Sequence, residues 1–395
     1  MLGRLKDLRH EGETLLRRYP PFVMRNLSGL TPGEIPVFVF HTIEPDRFDE
    51  QLEVLKDGGF RTISAEEYLA ILQGRVKASG DEVVLTIDDA RSSVWRYGFP
   101  LLKRHNAKAV LFVIPGWTPE GPEAPRPTLD DVESGKIDPA TLARLDLDDQ
   151  TICSWPEIKA MHASGLVDMH SHTYFHRRVF SSTEVTGVIA PGCVTTASDA
   201  DYSPYLSFDM KPGEMPPSDF HGLPLFPNRS LQEALPFIEV PVAVREECQQ
   251  LYRDQLAQGD TAPEKLMPLL QRIIDRAKLA ACSHEHAVTV IREDLLRART
   301  MLAERLGDPL AGTQLCLPFT LGSPATVAMA KETGSTALYW GVRDDRRVNR
   351  PGDDPFQLAR LKNDFIWRLP GPRRRSLPAI YLDKTVRRLR GANPY

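Results

Sequence analysis

Six short runs along the chain are almost continuously apolar: "IPVFVFH" (35–41), "EVVLTIDD" (82–89), "AKAVLFVIP" (107–115), "GLVDMHSH" (165–172), "TQLCLPF" (313–319) and "TALYWGV" (336–342). Strands covered on both faces read this way, because neither face has to alternate with polar residues. Helical spacing lies between them. Phe48, Leu52 and Leu55 recur at intervals of four and three, and Ser64 with Glu67 makes a capping pair before "AEEYLAILQG". Ser323-Pro324 starts a further helix, which Gly334 stops. Alternation of strand and helix predicts a parallel α/β sheet or barrel.

The polar residues of these units gather at the C-terminal ends of the strands: His41, the pair Asp88 and Asp89, and His172. In a parallel barrel that edge is where catalytic groups collect. Packing alone gives no reason for carboxylates and imidazoles to share it. Residues 181–283 break the rhythm. The stretch is rich in Pro and Gly, then becomes a charged helical segment around 243–281, and reads as an insertion facing the site. A disordered excursion is the alternative, against which stand the aromatic residues Tyr202, Tyr205, Phe208, Phe220 and Phe226.

A chain of 395 residues fits two average domains, or one α/β barrel of about 250 residues with insertions. The net charge of −4 excludes a globally basic nucleic-acid binder. Five cysteines without a C-x-x-C pair favour reduced thiols in a reducing compartment over a disulfide framework. The opening "MLGRLKDLRHEGETLLRRYPPF" has no apolar run like a signal peptide, and no segment reaches the roughly 18 apolar residues of a membrane span. The expectation is a cytoplasmic protein. From residue 360 onward ten Lys or Arg face two acids, which reads as a solvated surface balanced by acidic regions elsewhere, or as a peripheral contact for an anionic partner.

Two motifs carry the chemistry. "LTIDDARSS" (85–93) sets adjacent aspartates at a strand end, an arrangement that is costly unless a cation or shared proton offsets the repulsion. Taken alone it also fits an Asp cap with a solvated neighbour. "SHTYFH" (171–176) spaces His172 and His176 four apart, a weak signal by itself. Together they offer Asp–His–His, three ligands with an open position, as in a catalytic zinc-type site, and leave one aspartate free to act as a base.

With both motifs in order, the chain resembles the NodB-type polysaccharide deacetylases (carbohydrate esterase family 4). "LTIDDA" is similar to their Thr-Phe-Asp-Asp-Gly motif and "SHTYFH" to their Ser-His-Thr-x-x-His motif. "VFVFHTIEPDRFDEQLEVLKDGGFRTIS" resembles the opening strand and helix of many members. The likeness runs through 35–180 and resumes around 284–342. It implies a distorted (β/α) barrel with a long insertion on the active-site face. The organisation expected is an N-terminal extension (1–34), the barrel (35–180 and 284–370), the insertion (181–283) and a basic C-terminal tail (371–395).

The resemblance also implies roles. Asp89, His172 and His176 would hold a divalent metal ion, with zinc the first choice, and Asp88 would be the general base. The substrate implied is an acetylated sugar, glycan or glycan precursor, N-acetyl first. Alternatives are an amidohydrolase acting on a non-sugar acyl compound and a metal-retaining glycan-binding pseudoenzyme. Three departures stand out. Ala90 replaces the motif glycine, which reads as a small change. The family's Arg-x-Pro-Tyr or Phe motif is "CLPF" (316–319), so Cys316 stands where an arginine pairs with the base. No histidine follows His286, so the family's late histidine acid is missing. His41 is then the candidate acid or pocket residue.

Overall fold

The computed structural model describes residues 19–122, 125–148, 152–191, 202–207, 209–210, 217–260, 262–343 and 348–389. Its strands, in chain order, are β1 (Val37–Phe40), β2 (Arg61–Thr62), β3 (Glu82–Asp88), β4 (Ala109–Val113), β5 (Val167–Ser171), β6 (Arg178–Phe180), β7 (Gly187–Val188), β8 (Pro224–Leu225), β9 (Asn228–Ser230), β10 (Gln314–Cys316), β11 (Ala337–Tyr339) and β12 (Leu361–Lys362). The six apolar runs of the sequence each contain one strand of the main sheet. That sheet has the order β11-β10-β5-β4-β3-β1-β12, parallel throughout, with β2 paired to the start of β3.

The sheet closes on itself through a short segment near the C-terminus. Leu358 donates its N–H to Leu338 and accepts one from Trp340, while Leu361 three residues on lies in register with Phe38 of β1. Residues 358–362 thus join β11 to β1 and complete a distorted barrel.

Side chains alternate across this wall. Val83, Leu85 and Ile87 of β3 pack outward with Phe38, Phe40, Leu111 and Met169 in the core beneath the helices. Val84 of β3 joins Val37, Val110, Phe112, Cys316, Ala337, Tyr339 and Leu358 in a separate interior cluster. The same pleat turns Thr86 and Asp88 inward with Val84. Helix Ala65–Leu72 plugs the N-terminal mouth. Its Ser64 cap accepts the Glu67 N–H, Ala65 N–H binds Asp168, and Tyr68 and Ile71 enter the interior cluster.

The insertion (181–283) includes, among its described residues, one antiparallel pair (β7–β8), the strand β9, which pairs with β6 just before the stretch, and two helices, Val242–Ala257 and Pro263–Ala277. Tyr202, Tyr205, Phe220 and Phe226 are buried in its core, as their aromatic character suggests; Phe208 lies outside the described residues.

The tail departs from the sequence expectation of a solvated basic surface. Arg360, Arg368 and Lys384 are buried. Arg373 pairs with Asp57 and Glu53, Arg375 with Glu50, and Arg387 with Glu44, all at helix Pro45–Asp57. In return Arg47 of that helix pairs with Asp364 and Asp383. The acidic face of one helix therefore receives the basic tail, a pairing between segments more than 300 residues apart that composition cannot show. Arg390 and residues 1–18 of the expected extension lie outside the described residues, while Phe22 and Val23 are in the outer core. Among the described residues no helix is long and apolar enough to cross a membrane.

Candidate active site

Four strand ends meet at the C-terminal mouth. Asp88 is the last residue of β3, Cys316 the last of β10, His172 follows β5, and His41 follows β1. The chain turns sharply at these points. Among the described residues nine non-glycine positions have positive φ, and six of them lie here: Asp89 (70°), Ala90 (54°), Thr173 (64°), His176 (50°), Phe319 (58°) and Thr320 (62°). Left-handed backbone costs a side-chain-bearing residue roughly 1–2 kcal/mol, so such clustering marks a constrained edge. Ala90 is accordingly a larger departure than its size suggests, since it holds a glycine-type conformation.

The sequence-predicted ligands come together. One ligand atom each from Asp89, His172 and His176 lies within 4.8 Å of the others. The imidazole of His172 is fixed by its other nitrogen: Nδ1 is 3.0 Å from the carbonyl oxygen of Cys316. A carbonyl only accepts, so Nδ1 carries a hydrogen, and Nε2 is turned to Asp89 Oδ1 at 3.5 Å. A cation held here would bind between that nitrogen and the carboxylate. Burial, and next the charge of His172, pushes His176 down to about 3, so this ring is neutral and able to ligate. The donor set of two imidazoles and a carboxylate fits a zinc-type ion with an open position.

Asp88 is held differently. Both of its oxygens accept from the guanidinium of Arg360, Oδ1 from Nη1 at 2.7 Å and Oδ2 from Nη2 at 2.8 Å. Both side chains are about 3% exposed. Burial by itself would raise the Asp88 carboxyl; the charge of Arg360, then of His172, more than offsets it and holds the group well below the usual carboxylate range. Arg360 comes from the barrel-closing segment and passes Cys316, whose Sγ lies 3.1 Å from Nη2. The arginine that is missing at Cys316 is thus supplied by another strand, through the space that the small thiol leaves. Sequence reading had placed Arg360 in the basic tail. One signal was available: a lone cation inside the apolar run Leu358, Ala359, Leu361, all of which are buried. Cys316 is a fully buried thiol pushed far up by burial, as a structural cysteine should be.

His41 reaches the same centre, with Nε2 3.7 Å from Asp88 Oδ2 and about a third of its side chain exposed. His170, two residues before His172 on β5, is a core residue: burial pushes it down to about 3, and its Nδ1 accepts the Gln314 N–H. Outward of the centre lie the half-exposed ring of Phe319, edge-on to His176 at 4.4 Å, and Arg178 over that ring.

Residues 75–190 match the family model described as polysaccharide deacetylase. A putative polysaccharide deacetylase of Bacillus subtilis (strain 168), YxkH, is 26% identical over 91 residues, which are 21% of this chain and 33% of that protein. The chain thus spans about a third of the length of this curated relative. Among solved structures, IcaB from Ammonifex degensii is 21% identical, with 85% of this chain and 93% of that one covered at a TM-score of 0.46. The BpsB deacetylase domain from Bordetella bronchiseptica is 16% identical, with 85% and 96% covered at a TM-score of 0.48.

Proposed function

Residues 75–190 belong to the polysaccharide deacetylase family, and from that premise we propose that the chain is a metal-dependent hydrolase removing acetyl groups, N-acetyl first, from a sugar or glycan. The observation that carries the reading is the division of labour between adjacent aspartates. Asp88 has both oxygens engaged by Arg360, whereas Asp89 faces Nε2 of His172. Asp89, His172 and His176 are therefore the ligand set, and Asp88 is the base.

A divalent ion held by those three residues, zinc first, would supply Lewis acidity to a water and to the acyl oxygen. Everything else belongs to the chain's own groups. Asp88, kept ionised by Arg360, takes a proton from the attacking water. The water oxygen bonds to the acyl carbon, the carbon–nitrogen bond breaks, and acetate and an amine leave. His41, at the end of the neighbouring strand β1 and next to Asp88, gives the proton that the leaving nitrogen needs. The partly open positions of His41 and Phe319 leave the sugar a way in from solvent.

Metal analysis of purified protein tests the ligand set. Asp89→Ala, His172→Ala and His176→Ala should each lose most of the bound metal, because three ligands leave no redundancy. Wild-type metal content in all three would remove the assignment. Acetate release from a panel of acetylated sugars and non-sugar amides then tests the substrate class: release confined to the non-sugar amides would move the reading to an amidohydrolase.

A further inference from the structure

The backbone N–H groups of His172, Thr173, Tyr174 and His176 each have a partner, and the partners come from three different parts of the fold. His172 N–H binds Val113 O of β4, Thr173 N–H binds Ser171 Oγ, and His176 N–H binds Thr173 Oγ1. Tyr174 N–H goes to a distant side chain. Asp294, from the middle of helix His284–Leu306 and fully buried, accepts it at 3.1 Å, and the Phe175 N–H and Thr173 hydroxyl lie near enough to the same carboxylate to favour its charged form. Arg177, itself buried, adds its charge nearby.

The loop's carbonyls and rings are tied as firmly. Gly116 N–H and the Trp117 indole N–H donate to Tyr174 O and Phe175 O, each at 2.8 Å. A Cβ at Gly116 would collide with the Phe175 ring and the Tyr174 oxygen, so only glycine allows this approach. The rings of Tyr174 and Phe175 are fully buried and belong to the core of the insertion, not to that of the barrel. Thr173 and His176 meanwhile hold left-handed backbone, which persists only where surroundings over-determine it.

We infer that Asp294 is a positioning residue for the metal-ligand loop: its carboxylate gathers the donors between His172 and His176 and, with the insertion's core gripping Tyr174 and Phe175, presets the two imidazoles. This rests on the ligand set proposed above, and it assigns to the helix after the insertion, and to the insertion itself, a part in building the site.

Asp294→Asn tests it. The amide keeps the shape but removes the negative charge that draws the Tyr174 N–H, and with it the nearby Phe175 N–H and Thr173 hydroxyl, toward this side chain. A carboxyl that burial pushes up to about 6 is costly to keep ionised, so the global fold should be no less stable in the variant. A merely structural side chain would lower the unfolding midpoint; a positioning one should change the loop instead. Hydrogen exchange of the metal-free protein should show protection of peptide 172–177 falling about tenfold or more, with β3 and β4 unchanged. Titration with Zn2+, and with Co2+ followed by its visible spectrum, should show affinity weakened about 10–100-fold, as for other groups that orient ligands. Leu52→Ala, in the outer core on helix Pro45–Asp57, should lower stability without that loss. Wild-type exchange of the loop in Asp294→Asn would overturn the inference. Wild-type protein that binds neither metal would instead overturn the ligand set, while the exchange result still decides the loop.

Discussion

Arg360 and Asp88 are 272 positions apart and form the most buried ion pair of the site. Removing one partner of such a pair leaves an uncompensated charge and typically costs 3–5 kcal/mol, so Arg360→Ala reports on folding as well as on chemistry. Arg360→Lys keeps the charge without the two-pronged geometry. The sign of its effect is set by the shift that Arg360 causes. Asp88 is held low, so in wild type the base is ionised far below neutral pH, and the acid limb of kcat/KM lies low. With a weaker partner the carboxyl rises, and the acid limb should move to higher pH by about a unit or more. Adding Cys316→Arg to Arg360→Ala should move the limb back. A limb that stays in place in Arg360→Lys would mean that Asp88 is not the titrating base. His41 has its own test. His41→Ala should lower kcat more on an N-acetyl sugar than on an aryl acetate at equal metal occupancy, since an amine needs a proton to leave and a phenoxide does not. Equal, near-wild-type rates on both would make His41 structural. Asp88, Asp89, His172, His176 and His41 are legible in sequence because each sits at the end of an apolar run, in a short motif. Arg360 is not, because its meaning depends on barrel closure, and closure is a long-range pairing that local pattern does not encode.

At the scale of elements, β3 is the strand that delivers both aspartates, and its first residue anchors it. Glu82 accepts the N–H groups of Ser79 (2.7 Å) and Gly80 (2.8 Å) and the Ser79 hydroxyl, and it pairs with Arg61. Burial would raise this carboxyl, but the bonds from Ser79 and Gly80 bring it down from 4.5 to about 2. A folded-state value below the unfolded one gives stability that is present above the unfolded value and is lost as pH falls from about 4.5 through about 2. The contribution at neutral pH is up to about 3 kcal/mol. Glu82→Gln should therefore lower the urea midpoint at pH 7 and flatten its decline in acid. A variant that loses stability in acid as steeply as wild type would show that another carboxylate sets that limb. Six strands of the main sheet are readable to within three residues at each end, because burial on both faces writes them as apolar runs. The loop from 172 to 176 is legible as a motif but not as a structure: its shape is imposed by Asp294 and by rings packed in a later part of the chain.

For the molecule as a whole, the barrel, insertion and tail are one interlocked arrangement. The barrel's last gap is filled from residues 358–362, its ligand loop is gripped by the insertion, and its first long helix is clasped by the tail. Alternation of strand and helix made the barrel legible, and the long Pro- and Gly-rich interruption made the insertion legible. That the tail's charge is balanced by acids elsewhere was legible in composition; that those acids sit on helix Pro45–Asp57, and that part of the tail is buried, was not. What all of this holds in place is, on the function proposed, an ionised base beside a three-ligand metal site. The most direct test compares acetate released from an N-acetylated oligosaccharide by zinc-loaded wild type and zinc-loaded Asp88→Asn at equal metal content. The account predicts release by wild type and a fall of about 10²–10⁴-fold in the variant. Equal release by the two proteins, or none by fully loaded wild type, would contradict it.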